Sequence, residues 1–173
     1  RGERPQAGRY REFMQADVDI VGAASVDADA EMVAIIYKTL KGLGLDNFLI
    51  KINSRQILNS LPKYAGFPPE KLWDVLRIID KKDKIGLEGV IQEIFIFLGN
   101  ALIADKVGRF LLTSSSGVIS ADMIGDENAW ADLVQILEDV NVGTNNLNID
   151  LSLVRGLSFY TGTVFETILT DAP

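Results

Sequence analysis

Cysteine and histidine are both missing from this 173-residue chain. Without cysteine there are no disulfides and no thiolate metal sites. Without histidine the commonest general base and metal ligand is gone as well, so a chemistry that needs no protein base or nucleophile fits best. Long hydrophobic runs are also lacking. The longest, such as residues 94–98, are far too short to span a bilayer, and no signal-peptide pattern heads the chain. Basic residues are in the minority, 17 against 24 acidic ones, for a net charge of -7 and a pI near 4.6. That balance argues against a general nucleic-acid-binding surface, so any RNA contact must be local or lie outside this chain. What remains, 47% hydrophobic and 24% charged, is ordinary for a soluble globular protein. The length allows one sizeable core or two small ones.

The densest chemistry stands at the start. Read as a β-strand over residues 9–21, the chain puts Arg9, Arg11, Phe13, Gln15, Asp17 and Asp19 on one face. Tyr10, Met14, Ala16, Val18 and Ile20 fall on the other. The front row has an order: cations first, then a flat ring, then an amide and carboxylates. Such alternation also describes an antiparallel strand with one solvated face. Gly8 and the ERPQAG run before it suggest a tight loop that returns Arg1, Glu3 and Arg4 toward the row, which favours a ligand.

Further on, Met32, Val33, Ile36, Leu40 and Leu43 recur at helical spacing, with Asp27 or Asp29 as caps and Gly42 or Gly44 at the end. FLIKIN, residues 48–53, reads as a short buried strand. Ser54 caps a following helix that runs to Leu61 before Pro62 stops it. Residues 63–146 turn helical: one helix after Pro68 and Pro69, one over 85–98, one over 101–112 ended by a Ser/Gly-rich break at 113–117, and a last one over 129–140. The charge run Asp80, Lys81, Lys82, Asp83, Lys84 reads as a solvated helix end or a phosphate contact. Strand character resumes where Leu147, Ile149, Leu151 and Leu153 alternate with polar residues, and a second strand follows from Tyr160 to Leu169. A hairpin of these two strands is the simple reading.

Arg155 stands at the end of that alternation, before Gly156. Burying a guanidinium is costly without an anionic partner. Asp150 or Glu166 would make a structural salt bridge, and a ligand phosphate or carboxylate would make a site. Tyr160 adds a ring with a polar tip.

Two long motifs carry a family resemblance. Arg1, Glu3, RPQAGRYREF, Gln15 and DVDIVG resemble motif 2 of the class II aminoacyl-tRNA synthetases, in the form typical of histidyl-tRNA synthetases. LSLVRGLSFYTGTVFE is similar to that family's LVRGLDYYTGTVFE signature, and INSRQIL resembles its INNRKIL segment. The resemblance implies an α+β fold: an antiparallel sheet backed by helices and interrupted by a helical insertion. Residues 1–62 would be the first part of the catalytic core, 63–146 the insertion, and 147–173 the second part. Opening at Arg1 inside a motif, the chain reads as a catalytic-domain fragment.

The resemblance further implies a histidine-tRNA ligase. ATP would activate histidine as an adenylate, and the 3′ end of tRNA(His) would then take the acyl group. Substrate carboxylate and ribose hydroxyl attack, so the protein positions reactants and stabilises charge. Arg1 would hold the ATP α-phosphate, Glu3 the adenine edge and Arg9 the terminal phosphates, while Phe13 stacks on adenine. Gln15 and Asp19 would bind histidine, with Asp19 and Tyr160 facing the imidazole. Arg155 would stabilise charge at the α-phosphate next to the bound histidine. Arg4 and Gln6 would touch the tRNA acceptor end. Mg2+ is expected with ATP and no protein metal site is expected. A cytoplasmic homodimer, away from membranes, is the implied setting. Met14 replaces the family's usual histidine, and Ser158 and Phe159 stand where Asp and Tyr are usual. A noncatalytic relative, the regulatory subunit of ATP phosphoribosyltransferase, resembles the same fold but tends to lose the arginine-rich loop. Arg1, Arg9 and Arg155 are all present here and favour the ligase.

Overall fold

A computed structural model describes residue 4 and residues 10–23, 25–116, 127–140, 144–154 and 160–170 of the chain. The architecture is α+β. Helix α1 (Val26–Gly42) leads into strand β1 (Phe48–Ser54), and α2 (Arg55–Ala65), α3 (Leu72–Ile79), α4 (Lys82–Leu98), α5 (Ala101–Ser116) and α6 (Glu127–Asp139) follow. Strands β2 (Leu147–Ile149) and β3 (Thr163–Leu169) then return to the sheet.

The sheet order is β2-β1-β3. β2 runs parallel to β1, pairing Ile50 with Leu147 and Ile52 with Ile149. β3 runs antiparallel, pairing Lys51 with Glu166 and Ser54 with Thr163. The hairpin expected between the last two strands is therefore not formed. β1 lies between them because its Phe48, Ile50 and Ile52 are the buried floor of the core. At the sheet edge it would leave a row of backbone groups unpaired beneath that core. Leu151 and Leu153 lie beyond β2 in a tight turn, with the Leu153 N–H donating to Asp150 O at 2.9 Å, and both are buried.

Helices cover the face that carries Ile50 and Ile52. Val33, Leu58, Leu61, Leu76, Ile79, Ile94, Phe110 and Leu133 are fully buried and belong to one cluster with the sheet residues. Helices α3 to α6 thus contribute to the same core as the sheet, and the boundary expected between residues 62 and 63 falls inside α2.

Local chemistry moves several expected ends. Ser25, in an extended conformation, takes the N-cap position of α1 without a side-chain bond, so Asp27 and Asp29 sit in the first turn, where the helix dipole favours them. Ser54 does cap α2, accepting from the Gln56 N–H at 3.2 Å. Pro62 does not stop that helix. It continues to Ala65 and ends at Gly66, whose φ of 88° suits glycine alone at low cost. Burial of Ile57, Leu58, Leu61 and Ala65 on one side offsets the lost backbone bond. α5 likewise runs through the expected break to Ser116, and the Thr113 hydroxyl is satisfied within the helix by donating to Arg109 O at 2.8 Å.

The largest departure concerns residues 10–23. They carry no strand, because no described strand pairs with them. An unpaired extended segment gains neither ladder bonds nor a buried face. Met14 is 98% exposed on the side expected to be apolar and hidden, and Phe13 is 47% exposed on the other. Over residues 10–17 both faces are exposed.

Candidate functional site

A cleft of about 720 Å³ at the start of α1 gathers five parts of the chain. Val18, Asp19 and Ile20 form one wall, and Ser25, Ala28 and Asp29 from the start of α1 form the next. Ser54 and Gln56, at the β1–α2 junction, and Asp132 of α6 lie opposite, and Thr161–Thr163 closes the ring. Two bonds hold this last stretch. Thr163 Oγ1 donates to Asp29 Oδ2 at 2.5 Å, and the Arg55 N–H donates to Gly162 O at 3.0 Å. The start of β3 is thereby tied to α1 through Thr163 and to α2 through Gly162, the residue before the strand.

The cleft's electrostatics are one-sided. Among the described residues that line it, the charged ones are Asp19, Asp29 and Asp132. Three carboxylates along a cavity wall favour a positively charged ligand group through short charge-assisted bonds. Ammonium or imidazolium meets that demand.

Of the residues singled out in the sequence, Asp19 reaches the cleft, and Tyr160 stands half-exposed one residue before its Thr161 wall. Phe13 and Gln15 are exposed and do not line it; the Gln15 amide Nε2 donates to Asp17 Oδ1 at 2.6 Å. Arg4 is exposed. Arg1, Glu3, Gln6, Arg9, Arg155, Ser158 and Phe159 lie outside the described residues. Asp29, Ser54, Gln56 and Asp132 were not foreseen as site residues. Asp29 and Ser54 were absorbed by capping. The signal available for Asp29 was a second aspartate at a helix start that needs one cap.

A second, polar cleft of about 240 Å³ lies by the opposite sheet face, where Lys51 and Glu166 pair across β1 and β3. Here Asp150 binds Lys51 Nζ at 3.0 Å through Oδ2 and approaches Lys82 Nζ at 3.8 Å through Oδ1. Of the two structural partners considered for Arg155, Asp150 already holds two lysines. Lys82, expected on a solvated helix end, is instead turned toward the sheet.

Burial would raise the Asp150 pKa, but bonds from Ser152 and Lys51 and the charge of Lys82 outweigh it, so the carboxyl titrates below its usual range. Lys51 is raised despite burial, by Asp150. The depressed carboxyl contributes stability that is present above its unfolded pKa of about 3.9 and lost as pH falls through the folded value. The raised lysine contributes below its unfolded pKa, about 10.4, and loses that contribution as pH rises through its folded value. In the full-length protein, Asp150→Asn is expected to flatten the dependence of denaturation midpoint on pH below about 4. An unchanged acid limb would show that Asp150 is not preferentially ionised on folding.

Among the described residues no cluster of three or more acidic, cysteine or histidine side chains fits a metal ion. No described helix is long and apolar enough to cross a membrane.

The family model for histidyl-tRNA synthetase matches residues 1–173. The histidine–tRNA ligase of Wolinella succinogenes is 40% identical over 190 residues, covering 100% of this chain and 42% of that protein. That of Clostridium tetani is 41% identical over 187 residues, with the same coverage of 100% and 42%. The chain thus spans under half the length of these relatives. Among solved structures, histidyl-tRNA synthetase from Nostoc sp. PCC 7120 superposes with a TM-score of 0.71 at 26% identity, over 85% of this chain and 37% of that one. An ATP phosphoribosyltransferase regulatory subunit/histidyl-tRNA synthetase from Bacillus halodurans gives 0.68 at 21% identity, over 87% and 41%, a likeness of fold alone.

Proposed function

Because the chain belongs to the histidyl-tRNA synthetase family, we propose that it forms the central part of the catalytic core of a histidine-tRNA ligase. The observation that carries this reading is the carboxylate-lined cleft in which Asp19 meets Thr161–Thr163, since histidine brings an ammonium and an imidazole to be recognised. In this reading, a carboxylate oxygen of histidine attacks the α-phosphorus of ATP and pyrophosphate leaves. A ribose hydroxyl at the tRNA(His) 3′ end then attacks the acyl carbon and AMP leaves. Neither step needs a protein nucleophile, which suits a chain without cysteine or histidine.

Residue roles follow the family motifs. Asp19, Gln15 and Tyr160 bind histidine; Arg1, Glu3, Arg9 and Phe13 hold ATP; Arg155 steadies the α-phosphate and the histidine carboxylate. Arg4 and Gln6 meet the tRNA acceptor end. Mg2+ arrives on the triphosphate, whose oxygens are its natural ligands. No step is assigned to a metal held by this chain. The ligase would work as a cytoplasmic homodimer, with residues 63–146 as its helical insertion.

The test is histidine-dependent exchange of labelled pyrophosphate into ATP by the full-length protein. Exchange is expected with histidine and absent with other amino acids. A folded protein that binds histidine but does not exchange would overturn the ligase in favour of a histidine-binding regulatory relative.

A further inference from the structure

We infer that Asp29, in the first turn of α1, is a positioning residue for the amino-acid cleft: by holding the Thr163 hydroxyl it fixes the Thr161–Thr163 wall that stands around the ligand with Asp19. The inference rests on the ligase reading above, which puts histidine in this cleft. It gives Asp29 a role that the family motifs leave unassigned.

The wall has little else to hold it. In the antiparallel register Ser54 pairs with Thr163, and the β1–β3 ladder ends there. Thr161 and Gly162 come before that pair and are exposed, so burial of apolar surface does not set their position. Two polar ties do. The Arg55 N–H donates to Gly162 O at 3.0 Å, and Thr163 Oγ1 donates to Asp29 Oδ2 at 2.5 Å across a sequence separation of 134. A strand end held by few bonds opens easily, and each tie that spans to another element restrains it.

Both ends of the second tie are themselves fixed. Ala30 and Val33 bury the adjoining face of α1, and Val164 is buried directly after Thr163. A threonine side chain is stiff at χ1, so anchoring its hydroxyl also anchors the backbone that carries it. A hydroxyl bonded to a carboxylate is among the stronger neutral-donor bonds. Asp29 is thus a rigid post beside the cleft, and the wall hangs from it. Asp29, Thr163 and Asp19 all line the one cavity, so the bond sets a distance across the space where an amino acid would sit. Asp27 shares the first turn of α1 but does not line that cavity, which separates the wall from the helix dipole as reasons for a carboxylate here.

Four variants of the full-length protein test this, Asp29→Ala, Thr163→Val, their double and Asp29→Asn, with Asp27→Ala as the control for first-turn charge. The readouts are KM for histidine and for ATP in pyrophosphate exchange, histidine affinity by calorimetry, thermal midpoint and amide hydrogen exchange at 162–164. Asp29→Ala and Thr163→Val are each expected to raise KM for histidine and weaken its binding by about tenfold, with KM for ATP within about twofold. The double variant should be no more than about twofold worse than the weaker single, because both remove one bond. Asp29→Asn keeps an oxygen that accepts from Thr163 and should stay within about threefold of wild type. Asp27→Ala should leave KM for histidine within about twofold. Faster amide exchange at 162–164 is expected in both single variants. Unchanged histidine affinity in either single variant overturns the inference. So does a parallel rise of both KM values with a falling thermal midpoint, which marks Asp29 as merely structural. If Asp29→Asn is as weak as Asp29→Ala, the charge acts on the ligand directly and the positioning role falls. A wild type that binds histidine without exchanging it sinks the ligase reading alone, and the calorimetric affinities then decide on Asp29. A wild type that binds no histidine overturns both.

Discussion

Replacing Arg155 by alanine in the full-length protein is expected to lower histidine-dependent pyrophosphate exchange by at least about a hundredfold, while histidine binding stays measurable. The attack of a carboxylate on the α-phosphate of ATP brings two anions together and loads further charge on the phosphoryl oxygens. A guanidinium held in place relieves that charge without reorganising, and losing one such group removes about 3 kcal/mol of transition-state stabilisation. A structural role for Arg155 would require a carboxylate partner. Asp150, one of the two considered, is occupied by Lys51 and Lys82. An Arg155→Ala variant that exchanges normally would return Arg155 to a packing role. Arg155→Lys should recover little, since the ammonium lacks the planar fork that spans two oxygens.

Asp19→Asn should raise KM for histidine by roughly 30- to 150-fold, corresponding to about 2–3 kcal/mol for a hydrogen bond to a charged group. The side chain lines a cleft whose described charged groups are carboxylates, and the amide keeps its size but surrenders its charge. Asp17→Asn is the matched control. Asp17 falls on the same face in the alternating pattern, yet it is exposed, bonds Gln15 and does not line the cleft. A change of less than about threefold is expected there, as for surface substitutions generally. Equal effects at Asp17 and Asp19 would mean that net negative charge, and not contact, attracts the substrate.

The two aspartates illustrate how far the sequence could be read. Period-two alternation placed Asp17 and Asp19 in one row as equals, because alternation assigns faces without saying which part of a strand meets another element. The cleft separates them: Ile20 is partly covered and Asp19 faces the start of α1, while residues 10–17 stay exposed. Helix and strand identities were legible for a different reason. The spacing of Val33, Ile36 and Leu40 and the run at 48–53 reflect burial on one side of a regular backbone, which leaves its period in the residues themselves. Pairing was not legible. β2 and β3 look like neighbours in the chain, and only the need to cover both edges of β1 explains why they flank it.

The charge run at residues 80–84 went furthest from its reading. A lysine in such a run is a solvated end by local criteria, and Lys81 and Lys84 have no contact with the sheet among the bonds described. Lys82 differs because the break at Gly86 turns its short helical stretch toward Ser152, a residue 70 positions away.

By itself the sequence determined the family, through the motifs of residues 1–22 and 151–166, the α+β character, and the absence of any cysteine or histidine chemistry. These are properties of residue type and short-range spacing, which the chain carries whether folded or not. The tertiary structure alone decided that β1 is central, that Asp19 meets Asp29, Asp132 and Thr161–Thr163 in one cleft, and that Lys51 and Lys82 converge on Asp150. Each depends on contacts between distant parts of the chain, made when a shared core closes loops whose entropy no local pattern encodes. Of the described charged and aromatic residues in the row at the start, the fold brings Asp19 to the cleft and leaves Phe13, Gln15 and Asp17 away from it.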